Sequence, residues 1–556
     1  MTSDTSTLVE RGQLALADGD WHTAIDAFTS VLELEPHPAA SFGLGSAQWW
    51  QGEIREALRS WTAAYQGFRR AGAAAEAIMA AIQLSFIYSA NLGNEVVASG
   101  WVRRAVRLAS EVEIPVLDGW IALTESVFST DHATALELGQ RAHATGVANG
   151  DRDLEISALT AMGLAHVNAG NTTDGCALLD EAMAAAIAGE ADTPDTVVFT
   201  SCLMMRACCA CADFPRVVHW VRALDDFVER FGNPYLHTSC RTHYGEVLAA
   251  TGDWGRAETE LLAAMRLAAD GLPKVQADAA ACLADLRITQ GRVDEARQII
   301  RGFEGLPALA AVTARLQILD GDLTGAETTI SRGLEQLGSE AAPSAQLREL
   351  LGICQLANGD TSAAIEFGRQ IAKAGAETGC TIIRCRGQRL FGRALTRDGD
   401  VGDPGEAREA LEAALAGFVE LDLPLDVAST RMVLAELLDA GGDTQAITEG
   451  RAAHATFAEL GAIADADRAA SWLRERGTTV TRGDGGPSLS GLTRRETEVL
   501  GRLGEGLSNP EIAERLFVSR RTVEHHVASI LSKLGLRNRA EAAGFAVRQG
   551  GDLAAK

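Results

Sequence analysis

Residues 518 to 539 read VSRRTVEHHVASILSKLGLRNR. The apolar residues of this stretch recur at i, i+4, i+7, i+8 and i+11, which is the spacing of a helix with one buried stripe, and they are Val523, Val527, Ile530, Leu531 and Leu534. The opposite stripe has no large apolar side chain and consists of Arg521, Glu524, His525 and Ala528. The stretch therefore predicts a helix that is anchored by one face and presents a polar face, beginning beside Arg520, to a partner.

Four helix-start patterns surround this stretch. Each begins with Ser, Thr or Asn, and in three of them a Glu follows three residues later, as in a capping box: Thr493 with Glu496, Ser508 with Glu511, Ser519, and Asn538 with Glu541. They predict four short helices in about 60 residues. Only the segment LFVS, residues 516 to 519, separates the middle two. This arrangement is typical of a helix-turn-helix, whose second helix suits the major groove of DNA.

A longer pattern includes this helix pair. It comprises Leu492, Thr493, Arg495, Glu496, Glu498, Val499, Leu500, Gly506, Asn509, Glu511, Ile512, Ala513, Leu516, Ser519, Thr522, Val523, His526, Lys533 and Leu534. With these residues, the segment 492 to 542 resembles the LuxR-type DNA-binding domain of bacterial transcription regulators almost from end to end. The resemblance implies double-stranded DNA as the partner.

The same resemblance implies a role for the polar residues. The helix-turn-helix would run from Asn509 to Ala528. Base readout would fall on Glu524, His525 and Ala528, since Glu can accept a hydrogen bond from cytosine and His can pair with guanine. Contacts to the DNA backbone, which give affinity more than sequence choice, would come from Arg520, Arg521, Thr522, His526, Lys533, Arg537 and Arg539. Many relatives carry Lys in place of Glu524 or Ala528, so this chain departs from them on the reading face.

The last helix is expected to pair two copies of the chain. It would run from Arg539 to about Gln549 and contains the small residues Ala542, Ala543 and Ala546. The LuxR-type family pairs two domains through this helix, so the resemblance implies a homodimer on a two-fold DNA site.

The rest of the chain is repetitive. A Gly-Asp-like turn followed by small and apolar residues recurs near Gly19, Gly52, Gly93, Asp131, Gly170, Asp213, Gly252, Gly291, Gly321, Gly359, Gly399 and Gly442. The mean interval is about 38 residues, which lies in the range of helix-pair repeats. Gly can end one helix in the left-handed conformation, and the following Asp or Asn can cap the next. The pattern predicts about twelve helix pairs and an all-α fold.

The first repeat shows its family most clearly. Gly12, Ala24, Phe28 and Pro36 lie at relative positions 8, 20, 24 and 32. This resembles the tetratricopeptide repeat, and weaker copies continue to about residue 475. The fold class is therefore predicted as a tetratricopeptide-like helix-pair solenoid followed by a small four-helix LuxR-type domain. A solenoid offers a concave surface that suits the capture of peptides or small molecules.

Composition divides the chain into the same parts. The segment 476 to 487 is rich in Gly, Thr and charge, which predicts a flexible linker. The predicted domains are residues 1 to 475, this linker, and residues 488 to 553. The stretch from Ser488 to Gly550 has ten Lys or Arg and seven Asp or Glu, whereas the whole chain carries a net charge of −25. The terminal segment can approach a polyanion that the acidic body avoids.

Enzymatic and membrane classes are not favoured. No GxxxxGK[ST] motif occurs and no lysine follows a glycine, so the P-loop of the large ATP-dependent LuxR-type regulators is absent. GxSxG and HExxH are also missing. No apolar run reaches about 18 residues, and the N-terminus lacks a basic segment followed by an apolar one. These observations predict a cytoplasmic protein that is not an enzyme.

Neither a cofactor nor a metal is predicted. The group Cys202, Cys208, Cys209 and Cys211 is interpreted as buried packing in a helix. The motif HTSCRTH places His237, Cys240 and His243 at i, i+3 and i+6. On a helix the third side chain is rotated away from the first, so the three do not form one metal site.

Two functions remain open. The first is a bacterial transcription regulator whose repeat array senses a protein, peptide or small-molecule effector. The alternative is a non-enzymatic interaction scaffold whose C-terminal module no longer reads DNA, which the residues Glu524 and Ala528 favour.

Overall fold

The computed structural model describes most of the chain. The described residues are 2–112, 114–232, 234–269, 271–303, 305–337, 342–397, 403–478, 494–504, 506–516, 520–533 and 538–548. All regular elements in these ranges are helices, and none is a strand, which confirms the predicted all-α class. The chain divides into two units, Met1–Arg476 and Gly477–Lys556. We call the first unit the helical array and the second the C-terminal unit. No described helix combines the length and apolarity needed to cross a membrane.

The described part of the helical array contains 26 α-helices and one 3-10 turn, Pro307–Leu309. In chain order the α-helices are α1 (Thr2–Asp18), α2 (Trp21–Leu34), α3 (Pro38–Trp50), α4 (Ile54–Ala71), α5 (Ala74–Ala90), α6 (Glu95–Ala109), α7 (Pro115–Phe128), α8 (His132–Asn149), α9 (Arg152–Ala169), α10 (Thr172–Ile187), α11 (Pro194–Cys211), α12 (Phe214–Ala223), α13 (Asp225–Phe231), α14 (Pro234–Ala250), α15 (Trp254–Ala268), α16 (Pro273–Thr289), α17 (Val293–Ile300), α18 (Ala310–Leu319), α19 (Leu323–Leu337), α20 (Ala342–Asn358), α21 (Thr361–Glu377), α22 (Thr381–Arg397), α23 (Pro404–Glu420), α24 (Pro424–Ala440), α25 (Gln445–Leu460) and α26 (Ile463–Glu475).

These helices form twelve successive pairs in the described residues, from α1 with α2 to α24 with α25. The short α13 is an additional helix after the sixth pair, and α26 follows the last pair. The predicted turn chemistry is present at Gly19, which has a φ of +77°. The next residue, Asp20, caps α2 by accepting a hydrogen bond from the Thr23 amide at 3.1 Å. Gly399, which was predicted to begin a weaker repeat, lies outside the described residues.

Small residues bring helices of neighbouring pairs together. Phe28 is buried between α1 and α3. A Cβ added at Gly12 would lie 2.6 Å from its ring, and one added at Gly43 would lie 2.4 Å from it. Trp61 has the same relation to Gly45, with a distance of 2.8 Å. A larger residue at these glycines would collide with an aromatic core side chain, which explains the small residues of the repeat pattern.

Helix pairs that are far apart in the sequence also contact one another. Trp21 Nε1 donates a hydrogen bond to the Phe231 carbonyl at 2.9 Å, across 210 residues. The Lys274 amide donates to the Asn91 carbonyl at 3.4 Å. One buried cluster accordingly extends from Trp21 to Leu423. The array is wound so that pairs about five apart touch.

A cluster of aromatic side chains lies where the first two helix pairs contact α13. Trp21 and Trp50 are stacked, with ring centroids 4.6 Å apart. Phe231 packs against both rings, at 6.2 Å from Trp21 and 5.9 Å from Trp50. Trp50 Nε1 donates a hydrogen bond to Asp195 Oδ1 at 2.8 Å. Trp50 therefore joins α3 to α11 through its N–H group, while its ring packs against α2 and α13.

The surroundings of the Asp195 carboxylate disfavour its charged form. Desolvation by burial raises its pKa to about 6 from the ordinary 3.8, against the hydrogen bond from Trp50, and the nearby charge of Asp153 raises it further. Burial also raises the pKa of Asp153, although this side chain accepts a hydrogen bond from Thr196 Oγ1 at 2.8 Å. The contact between α3 and α11 is therefore sensitive to protonation.

We expect the substitution Asp195→Asn to change how the stability of the array depends on pH. The folded pKa lies above the ordinary value, so the stabilisation from protonation is complete below about pH 4 and is lost as the pH rises through about 6. The free energy of unfolding of the variant, relative to the wild type, should rise by up to about 3 kcal/mol between pH 4 and pH 7. Urea unfolding at several pH values measures it.

The control for this experiment is Asp174→Asn, because Asp174 is an exposed aspartate in the first turn of another helix, α10. That variant should follow the wild-type pH dependence. If plots of the free energy of unfolding against pH are parallel for Asp195→Asn and the wild type, then Asp195 is not the group that causes the pH dependence.

The C-terminal unit contains the four predicted helices. They are α27 (Arg494–Gly504), α28 (Asn509–Leu516), α29 (Arg520–Lys533) and α30 (Arg539–Arg548). Apolar side chains from all four meet in one core: Val499, Leu500, Leu503, Ile512, Ala513, Val523, Ile530, Ala542, Phe545 and Ala546. Helix α29 packs against α27, α28 and α30, so its position is set by the whole unit.

Candidate nucleic-acid interface

The start of α28 follows the predicted capping pattern. The Ser508 amide donates a hydrogen bond to Glu511 Oε2 at 2.7 Å, and Ser508 Oγ donates to the same oxygen at 2.6 Å. These hydrogen bonds lower the pKa of Glu511 below its usual value. Asn538 Oδ1 caps α30 by accepting from the Glu541 amide at 3.0 Å. The predicted caps Thr493 and Ser519, with the turn 517–519, lie outside the described residues.

Helix α29 has a buried side and an exposed side, as the sequence predicts. Val523 and Ile530 are fully buried in the core. Arg520, Glu524 and Ala528, which follow one another at i, i+4 and i+8, are exposed. Arg520 Nε donates a hydrogen bond to Glu524 Oε1 at 2.9 Å, and 71% and 47% of these two side chains are exposed. The exposed stripe therefore presents an ion pair followed by a methyl group.

Several predicted contact residues cannot be placed. The side chains of four residues on α29 lie outside the described part of the chain, namely Arg521, Thr522, His525 and Lys533. The whole of Arg537 also lies outside it. His526 is half-buried and therefore differs from the exposed residues Glu524 and Ala528. Two of the three predicted base-reading residues, Glu524 and Ala528, are thus found together on the exposed side.

Arg539 has a role that the sequence did not predict. Its guanidinium donates hydrogen bonds to Asn509 Oδ1 and to the Leu507 carbonyl, which lie at the start of α28. The side chain thus connects α30 to the beginning of the helix-turn-helix. Two of its five N–H groups are used inside the unit, so Arg539 has a structural role, and its contact with phosphate stays a prediction.

The small residues of α30 also differ from expectation. Ala542 and Ala546 have exposed fractions of 0% and 3% and belong to the core of the C-terminal unit. Their side chains pack against the other helices of the same chain and are not available to a second copy. Ala543 is half-buried and lies outside that core. Of the three residues predicted for pairing, only Ala543 keeps an accessible side chain.

Glu496 positions α29 in a way that sequence reasoning missed. The sequence assigns it to a capping pair with Thr493. In the structure it is 4% exposed, and Ser529 Oγ donates a hydrogen bond to its Oε1 at 2.6 Å. This contact ties α27 to the residue that follows Ala528. The partner lies 33 residues away, so no local pattern could reveal it.

Comparison with known proteins assigns both parts of the chain. Residues 490–546 match the family described as "Bacterial regulatory proteins, luxR family". Residues 9–76 match the tetratricopeptide repeat. The first match contains all four helices of the C-terminal unit nearly completely, and the second contains the later part of α1 with α2, α3 and α4.

Curated relatives are similar to part of the chain. The transcriptional regulatory protein LnrK of Bacillus subtilis (strain 168) is 53% identical over 62 residues, which cover 11% of this chain and 28% of the relative. The DNA-binding transcriptional activator DevR/DosR of Mycobacterium tuberculosis is 33% identical over 138 residues, which cover 25% of this chain and 52% of the relative. This chain thus spans about half or less of the length of these relatives.

Two solved structures extend over most of the chain at 12% sequence identity. "Crystal structure of APC/C hetero-tetramer Cut9-Hcn1" covers 84% of this chain and 96% of its own, with a TM-score of 0.37. "Human IFIT1 dimer with PPP-AAAA" covers 80% of this chain and 92% of its own, with a TM-score of 0.39. Scores this low carry no argument about function. The C-terminal four-helix unit is a LuxR-family domain, and it follows a helical array that begins with tetratricopeptide repeats.

Proposed function

We propose that this protein is a sequence-specific DNA-binding transcription regulator. In this proposal α29 of the C-terminal unit enters the major groove of double-stranded DNA, and the helical array senses a protein, peptide or small-molecule effector. The main support is the exposed stripe of Arg520, Glu524 and Ala528 on a helix whose other side is held in the core. The luxR-family match of the same segment adds to it.

Each residue of the stripe has a chemical role in the proposal. Glu524 would accept a hydrogen bond from the amino group of a cytosine, and the methyl group of Ala528 would contact a thymine methyl. Arg520 holds the Glu524 carboxylate through Nε. Its remaining N–H groups would face a phosphate, so that one side chain orients the reading residue and anchors it to the backbone.

The distribution of charge supports binding through the C-terminal unit alone. Its segment Ser488 to Gly550 has an excess of three basic residues, whereas the whole chain carries −25. DNA phosphates attract this basic segment and repel the acidic rest of the chain. The proposed state on DNA is a homodimer paired through α30, whose two units contact half-sites about one helical turn apart. We further propose a bacterial, cytoplasmic setting and no catalytic activity.

The array would act on the DNA-binding units through its shape. An effector that binds one arrangement of the helix pairs more tightly than another shifts the population between them. The contacts between pairs about five apart, such as that of Trp21 with Phe231, are where such arrangements would differ. The spacing or availability of the two DNA-binding units would then follow effector binding.

We expect two substitutions on α29 to change DNA binding in different ways. Arg520→Ala should weaken binding to all duplexes and lower the slope of log affinity against log salt by about 1, because one phosphate contact is lost. Glu524→Gln should instead change the preference at one base pair, by about 1–3 kcal/mol. Fluorescence anisotropy with duplexes from upstream of the protein's own coding region, under salt titration, measures both effects.

The array offers a matched control for the arginine. Arg59 forms a similar pair with Glu56 and its side chain is 72% exposed, so Arg59→Ala removes a comparable charge and should leave DNA binding unchanged. Binding that is absent, or that does not depend on sequence, would favour the interaction scaffold instead. If both α29 variants bind as the wild type does, then the exposed stripe is not the DNA-contacting face.

A further inference from the structure

Three potential metal ligands meet near the middle of the helical array. Cys209 lies on α11, and His243 and Glu246 lie on α14. One donor atom from each of the three side chains, a thiol sulfur, an imidazole nitrogen and a carboxylate oxygen, lies within 4.8 Å of the other two. All three residues are half-buried. Thiolate, imidazole and carboxylate are the ligands that zinc uses in proteins.

His243 is incompletely satisfied in this arrangement. Its Nδ1 atom is buried and makes no hydrogen bond. The nearest charged oxygen, Glu246 Oε2, is 3.5 Å away, and the two residues are one helical turn apart on α14. A buried nitrogen without a partner costs about 1–3 kcal/mol. A cation between the imidazole and the carboxylate would remove this penalty, because a neutral imidazole nitrogen is a metal ligand.

The three side chains leave one metal position open. Zinc sites with three protein ligands take a water molecule as the fourth ligand. One sulfur, one nitrogen and one oxygen from the protein form a donor set that suits tetrahedral zinc.

We propose that Cys209, His243 and Glu246 form a binding site for a zinc-like divalent cation. The site differs from the motif HTSCRTH, because the other two proposed ligands, Glu246 one turn further along α14 and Cys209 on α11, do not belong to that motif. It lies where α13 interrupts the succession of helix pairs. A bound cation would link α11 and α14 across this interruption. The inference does not depend on DNA binding.

Metal binding at this site must release protons. A thiol binds a cation as the thiolate, so each cysteine that becomes a ligand gives its proton to the solvent while the S–metal bond forms. Affinity should therefore rise with pH. No electron is transferred in this step, and no other reactant is needed.

The test uses the full chain after removal of metals with a chelator. Titration with Co²⁺, a spectroscopic substitute for Zn²⁺, should give the visible absorption of a tetrahedral thiolate complex that saturates at one equivalent. Zn²⁺ should displace the Co²⁺ and raise the Tm of the array. Cys209→Ser and His243→Gln should each weaken Co²⁺ binding by at least about tenfold. Loss of a residue that only hydrogen-bonds to a metal ligand already weakens binding by about this much.

Cys240→Ser is the matched control. Cys240 is on the same helix as His243 but outside the proposed set, so this variant should bind Co²⁺ as the wild type does. Circular dichroism of the metal-free variants establishes that each remains folded. The proposal is overturned if one equivalent of Co²⁺ gives no thiolate absorption. It is also overturned if folded Cys209→Ser binds with wild-type affinity.

Discussion

Replacing Val523 with aspartate is expected to unfold the C-terminal unit and to abolish DNA binding by the full chain. Val523 is fully buried against the other helices of this unit. Moving a carboxylate to this position without a partner costs several kcal/mol. A unit of about 60 residues is stabilised by roughly 5 kcal/mol in total. The penalty is therefore as large as the stability that it opposes.

Hydrogen exchange of the amides in α29 measures the unfolding, and anisotropy with duplex DNA measures the loss of binding. The control is Gly501→Asp, which adds the same charge at a position where a new Cβ meets nothing within 4 Å. This variant should remain protected from exchange. Protection of α29 in Val523→Asp would contradict the described core. Loss of protection with DNA binding retained would instead contradict the proposed function.

The second large effect is expected for Trp50→Ala in the helical array. Trp50 is 2% exposed, stacks on Trp21 and donates a hydrogen bond to Asp195. Truncation removes the stacked ring and leaves a cavity, which costs about 3–5 kcal/mol for a buried aromatic residue. The loss also leaves the desolvated Asp195 carboxylate without its donor. We therefore expect the array to unfold at clearly lower urea concentration.

A series of variants separates the two contributions of Trp50. Trp50→Phe keeps an aromatic ring and removes the N–H group, so it should be much less destabilising than Trp50→Ala. In the double variant with Asp195→Asn, the effect of losing the N–H group should become smaller, because the two residues interact directly. If the changes in the free energy of unfolding for Trp50→Phe and Asp195→Asn simply add in the double variant, then the hydrogen bond between the two residues contributes nothing to stability. A Trp50→Ala array as stable as the wild type would exclude the contact between α3 and α11.

The local structure of this protein could be predicted from its residues. The Gly19–Asp20 turn, the twelve helix pairs and the capped start of α28 all depend on neighbours a few positions apart. The buried and exposed sides of α29 follow from helical spacing alone. Contacts of individual residues could not be predicted where the partner is distant in the sequence. Arg539 is used to hold Asn509, and Ala542 is used in the core, because α30 packs on helices that spacing cannot place.

The sequence by itself determined the all-α class, the succession of helix pairs and the LuxR-type character of the end, since each rests on short-range spacing or on a long matched motif. Only the tertiary structure decided that Trp21 meets Phe231, that Trp50 meets Asp195, and that Cys209 meets His243. The physical reason is the small rotation between successive helix pairs. This rotation depends on the packing of every pair, and it alone determines which residues of distant repeats come into contact.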